Sequence, residues 1–151
     1  MNAKMKILLV DDSVKHRRAG KRQLEALGHE VVALCDYTEA REEAKKGGFD
    51  VALIDLLMPA EPQTLGVEAV KEFVGTEIAI GFPMAISLAI LGIGKIAVVT
   101  DTNHHNHPMS AAVDWFQGKV QIAGASVIIT HAYLNSDGAK DWEAALKSLT
   151  A

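Results

Sequence analysis

Three carboxylates stand at the ends of two short apolar runs. Residues 6–10 lead into Asp11 and Asp12, and residues 51–54 lead into Asp55, which is followed by Leu56, Leu57, Met58 and Pro59. If these runs are neighbouring parallel strands, their carboxyl ends lie side by side at the sheet edge where α/β folds bind ligands. Carboxylates gathered there repel one another, so the set calls for a divalent cation. Acids at strand ends also cap helices, but a third acid ahead of Met58-Pro59 exceeds what capping requires. A later apolar run ends in Thr100 and Asp101, with His104, His105 and His107 close behind. Imidazoles added to the three acids would suit Zn²⁺, Mn²⁺ or Fe²⁺ better than Mg²⁺. Adjacent histidines in a polar loop are also commonly solvent-exposed, and His107 precedes Pro108, where a helix begins.

The elements that must position these groups follow from periodicity. Residues 6–10 form a continuous apolar run, as in a strand covered on both faces. Ser13 caps a helix over 14–27, which Gly28 ends. A second strand spans 30–35. Thr38 opens a helix through Lys46 whose acid-then-base order suits its dipole, and Gly47-Gly48 stops it. A third strand covers 50–56. Strand, helix, strand, helix, strand implies parallel pairing and right-handed crossovers. Beyond Pro59 the third crossover is long, with helical pieces at 65–74 and 83–91 before a strand at 95–100. A helix from His107 to Phe116, strand candidates at 120–122 and 126–130, and a last helix from Ser136 or Asp137 to Leu149 complete the chain.

The 151 residues amount to about one domain, spanning 1–151, and 49% apolar content suffices for a core. A net charge of −4 gives no basic footprint, so no nucleic-acid partner is expected. The local basic run from Lys15 to Arg22 reads as a solvated helix face. A lone cysteine, Cys35, excludes an internal disulfide framework, and no secretory signal opens the chain, which places it in the cytoplasm. Residues 78–94 carry no charge, but Gly81, Pro83, Gly92 and Gly94 interrupt them, so a buried helix is expected and membrane insertion is not.

Residues 7–13, Ile-Leu-Leu-Val-Asp-Asp-Ser, with Asp55-Leu56-Leu57-Met58-Pro59 and Val98-Val99-Thr100, closely resemble the receiver domain of two-component response regulators, most fully over residues 4–60. The resemblance implies a flavodoxin-like three-layer αβα sandwich, with a five-stranded parallel sheet in the order 2-1-3-4-5. Here the third crossover is enlarged and there is room for an extra strand before the last. It implies Asp55 as phosphoacceptor and Mg²⁺ or Mn²⁺ on Asp11, Asp12 and Asp55, where the cation would neutralise charge developing during phosphoryl transfer. It also implies a phosphoryl contact from Thr100, and a sensor histidine kinase or phosphotransfer protein as partner.

The family's lysine at the end of the last strand is absent from the alignment, which places His131 there, Ala132 at the usual proline and Ile128 at the aromatic switch position. Histidine titrates near neutrality, so the pairing cation would be missing or pH-dependent. Lys119 is the nearest alternative. His16 and His29 look unremarkable, one on the basic helix face and the other beside a turn. Asp101, where receivers prefer a small residue, should repel a phosphodonor and strengthen cation binding.

The leading expectation is a stand-alone receiver, self-phosphorylating rather than an enzyme in the ordinary sense. One alternative is a degenerate receiver with a metal-dependent site, hydrolysis among its candidate chemistries, that adds Asp101, His104, His105 and His107 to the acids and takes a transition metal such as Zn²⁺. Another is a protein-binding pseudo-receiver, with residues 78–91 serving as a homo-oligomer interface.

Overall fold

The computed structural model describes residues 3–101 and 107–151. Its sheet is built from β1 (Lys6–Val10), β2 (Glu30–Leu34), β3 (Val51–Ile54), β6 (Lys95–Thr100), β7 (Val120–Ile122) and β8 (Ala125–His131). A separate antiparallel pair joins β4 (Met58–Pro59) and β5 (Glu77–Ile78). The helices are α1 (Val14–Ala26), α2 (Tyr37–Lys45), α3 (Val70–Phe73), α4 (Gly81–Ile90), α5 (Pro108–Ala112) and α6 (Trp142–Thr150). The main sheet runs β2-β1-β3-β6-β8-β7, with every pairing parallel except that of β7 with β8. This is the expected flavodoxin-like order with one added antiparallel strand at the edge.

Alternation along the strands divides the core into two layers. Ile7, Leu9, Val51, Leu53, Ala97 and Val99 pack with Leu24 of α1 and with Trp142, Leu146 and Leu149 of α6. Leu8, Val10, Ala52, Ile54, Ile96 and Val98 face the other way, toward Ala40 and Ala44 of α2 and Met84 and Leu88 of α4. Both faces of the central strands are therefore covered, which is why their sequences read as unbroken apolar runs. Gly20 permits the close approach of α1, since a Cβ there would lie 2.5 Å from Leu9 Cδ2 and 2.9 Å from Trp142 Cδ1.

Helix limits follow their caps. Ser13 accepts from His16 N–H at the start of α1, as expected. The α2 cap is Asp36 rather than Thr38, its carboxylate accepting from Glu39 N–H at 2.8 Å. The helix expected over 65–74 contracts to the single turn of α3, because no side chain caps its start and Gly75, at φ 83°, follows its C-cap. The last helix begins at Trp142 rather than Ser136 or Asp137. Asp141 caps it, while Gly138, at φ 83°, turns the preceding chain back so that Gly138 N–H donates to Asn135. The uncharged stretch forms β5, α4 and the turn before β6, and no helix among the described residues is long and apolar enough to cross a membrane.

Candidate functional site

Register brings the acids together. Val10 pairs with Ile54 across β1 and β3, so Asp11 and Asp55 follow at the same level of the sheet. Asp55 N–H donates to Val10 C=O at 2.8 Å, and Asp11 N–H donates to Leu34 C=O at 3.1 Å, which fixes both backbones. Asp11 and Asp55 are buried and Asp12 is exposed. One carboxylate oxygen from each of Asp11, Asp12 and Asp55 lies within 4.8 Å of the others. Asp11 Oδ1 accepts from Ser13 N–H at 2.9 Å, which ties the acid to the cap of α1.

A lysine also reaches these acids. Lys140 is fully buried, and its Nζ donates to Asp11 Oδ2 at 2.6 Å, Asp55 Oδ1 at 3.0 Å and Val99 C=O at 2.8 Å. All three ammonium hydrogens are therefore used, and the ammonium also lies 5.0 Å from the centre of the Trp142 ring. The expectation that the acids lack a permanent cation is thus corrected. The lysine sits off the end of the last strand, after residues 132–139 have made an excursion closed by a bridge between Leu134 and Lys140. Strand-end alignment missed it because that excursion separates Lys140 from β8. The available signal was a lysine lying between Gly138 and the apolar face of the last helix.

The electrostatics follow from this crowding. Burial, with the charges of Asp11 and Asp12, holds the Asp55 carboxyl well above the usual carboxylate range, although Lys140 opposes the shift. Burial and the charge of Asp11 raise Asp12 as well. Burial works against the Lys140 ammonium, but Asp55 and Asp11 outweigh it and hold its pKa above the ordinary lysine value.

The donor set fits a hard divalent cation. It consists of oxygens, and one carboxylate oxygen of each of Asp11, Asp12 and Asp55 lies within 4.8 Å of the others, a crowding of like charge that a proton or a cation relieves. Lys140 supplies a single positive charge against three acids, so the site remains short of positive charge.

The other expected site residues take different positions. Thr100 is buried at the end of β6, with His131 opposite it in register on β8. Asp101 is outside the acid group and instead pairs with His16, whose Nε2 lies 2.9 Å from Asp101 Oδ2. Burial opposes the charge on Asp101, but the field of Lys140 and the hydrogen bond from His16 hold its carboxyl below the usual range. His107 caps α5, its Nδ1 accepting from Met109 N–H at 3.1 Å. His104 and His105 lie outside the described residues. His16, expected on a solvated face, is buried: its Nδ1 accepts from Lys140 N–H at 3.1 Å.

Residues 7–82, half of the chain, match the family model of the response regulator receiver domain. Among solved structures, the chain is similar to chemotaxis protein CheY4 of Vibrio cholerae, at 21% identity and a TM-score of 0.60, covering 97% of this chain and 99% of that one. It is similar to a CheY-like receiver domain protein from Methanospirillum hungatei, at 21% identity and 0.58, covering 96% and 92%. A response regulator receiver protein from Sinorhizobium medicae aligns at 17% identity and 0.60, covering 98% and 96%. These likenesses establish a shared fold. A search of curated proteins finds no match.

Proposed function

Because the chain belongs to the response regulator receiver domain family, we propose that residues 1–151 act as one receiver-like domain that accepts a phosphoryl group on Asp55. The observation that carries this reading is the position of Asp55. It closes β3 within cation-sharing distance of Asp11 and Asp12 and 3.0 Å from a buried ammonium.

In the proposed reaction a carboxylate oxygen of Asp55 attacks the phosphorus of a phosphohistidine or an acyl phosphate. The new oxygen–phosphorus bond forms as the donor's bond to phosphorus breaks, and the donor leaves with that electron pair. Asp11, Asp12 and Asp55 would hold Mg²⁺ or Mn²⁺, whose charge would keep Asp55 ionised and offset the oxygens of the incoming group. Lys140, already between Asp11 and Asp55, supplies a permanent positive charge where the phosphoryl oxygens arrive. The Thr100 hydroxyl, at the end of the adjacent strand, is the proposed hydrogen-bond donor to the phosphoryl group, with His131 beside it on β8. The partner in this reading is a sensor histidine kinase or phosphotransfer protein.

Acetyl phosphate with Mg²⁺ tests the proposal. Intact mass should show one added phosphoryl group on the wild type and none on Asp55→Asn. Equal incorporation in the two proteins, or none in the wild type, would refute the assignment.

A further inference from the structure

Residues 132–139 separate the last strand from Lys140, so the end of β8 does not by itself fix the lysine over the acids. The fixing contacts come from α1. Lys140 N–H donates to His16 Nδ1 at 3.1 Å, and Lys140 C=O accepts from Gln23 Nε2 at 3.0 Å. Gln23 Oε1 accepts in turn from Trp142 N–H at 2.9 Å, and Trp142 Nε1 donates to the backbone carbonyl of His16 at 3.0 Å. The helix that carries these groups is itself tied to the acids, because its cap residue Ser13 donates to Asp11.

His16 has a second bond. Its Nδ1 accepts an amide hydrogen and carries no proton, so Nε2 holds the hydrogen and donates it to Asp101 Oδ2 at 2.9 Å. One buried imidazole therefore spans the main chain of Lys140 and the residue that follows Thr100.

We infer that His16 is a positioning residue, holding the Lys140 ammonium over Asp11 and Asp55 and tying it to the chain leaving β6. The inference rests on the reading of Asp55 as phosphoacceptor. Its two bonds separate by substitution. Asparagine places an acceptor where Nδ1 stands and keeps the Lys140 bond, whereas glutamine places a donor toward Asp101 and loses the acceptor.

The test uses the full chain labelled with ¹⁵N-lysine, with Lys140→Met assigning the buried ammonium resonance, and measures affinities for Mg²⁺ alone and for beryllofluoride with Mg²⁺. His16→Ala should broaden or abolish the ammonium resonance and leave Mg²⁺ affinity within about twofold. It should weaken beryllofluoride binding about tenfold, the loss expected when one buried hydrogen bond is left unmade. His16→Asn should restore both signals. His16→Gln should behave as His16→Ala does and takes its place if the alanine variant does not fold. An unchanged ammonium resonance in the alanine or glutamine variant, or affinities for Mg²⁺ and beryllofluoride that fall in step, would overturn the inference. If the wild type binds Mg²⁺ but not beryllofluoride, the phosphoacceptor reading fails. The resonance then decides the positioning role, supported by loss in glutamine and recovery in asparagine and overturned by no change.

Discussion

Lys140 and Asp11 stand 129 positions apart in sequence, yet Nζ of one lies 2.6 Å from Oδ2 of the other with both side chains sealed from solvent. Truncating one partner of such a pair strands the other's charge in a medium that solvates it poorly. Lys140→Met keeps much of the stem and removes only the ammonium. It should lower unfolding free energy by about 3 kcal/mol without a divalent cation, the low end for a broken buried pair because Asp55 can take up a proton. Urea denaturation in EDTA measures the loss, and saturating Mg²⁺ should narrow it. A variant as stable as the wild type in EDTA would contradict the assigned pairing.

The raised carboxyls make stability depend on pH. Asp55 and Asp12 bind protons more tightly in the folded chain than in the unfolded one, through burial and the charge of Asp11. Cation-free stability from this pair is thus fully present below the ordinary carboxylate value and falls as pH rises through the raised folded values. Asp101 acts in the opposite sense and in a lower window, its contribution being lost as pH drops below the ordinary value toward the depressed folded one. Mg²⁺ should therefore raise the melting temperature more at mildly alkaline than at mildly acidic pH. Thermal melts at both pH values, in EDTA and in Mg²⁺, check this, and an equal shift at both would exclude the acids as the binding site.

Gly81 lies against the backbone that presents Asp55. A Cβ there would stand 2.6 Å from the Asp55 carbonyl oxygen and 2.8 Å from Leu56 Cα, whereas one at Gly94 would meet nothing within 4 Å. Gly81→Ala should cost about 2 kcal/mol and weaken Mg²⁺ binding, while Gly94→Ala should stay within about 0.5 kcal/mol of wild type. Urea melts and a Mg²⁺ titration of both variants provide the comparison.

Cys35 offers a surface test of local electrostatics. Desolvation and the neighbouring Asp36 carboxylate push its thiol up, so alkylation by iodoacetamide should gain speed only at a more alkaline pH than for an unhindered cysteine. Asp36→Asn should bring the rate midpoint down. A midpoint unmoved by that substitution would assign the slow reaction to access instead.

The acids were legible in sequence because strand ends are local signals: an apolar run, then a charge, in alternating units that dictate parallel neighbours. The extra strand at 120–122 was legible for the same reason, from Gly124 and two short β-branched runs. Lys140 was not, because its role depends on the turn at Gly138 and on the docking of α6 beside α1, neither of which leaves a periodic trace. His16 was hidden by its neighbours. It sits among Lys15, Arg17 and Arg18 in a strongly basic segment, and only the packing of Trp142 against α1 shows which side of the helix is covered. The histidine loop looked like a ligand set by composition, yet of its members within the described residues His107 serves its own helix.

The added strand β7 changes what the sheet shows to other chains. Without it, β8 would present its whole outer backbone edge, four of its seven residues buried and apolar, to any strand that approached edge-on. With it, residues 125–127 of that rim are paired and replaced by three residues preceded by Lys119 and turned back at Ala123 and Gly124, both of positive φ. A short, charged and sharply turned rim is a poor template for further strands. Along residues 125–127 of β8, β7 guards the molecule against edge-to-edge aggregation.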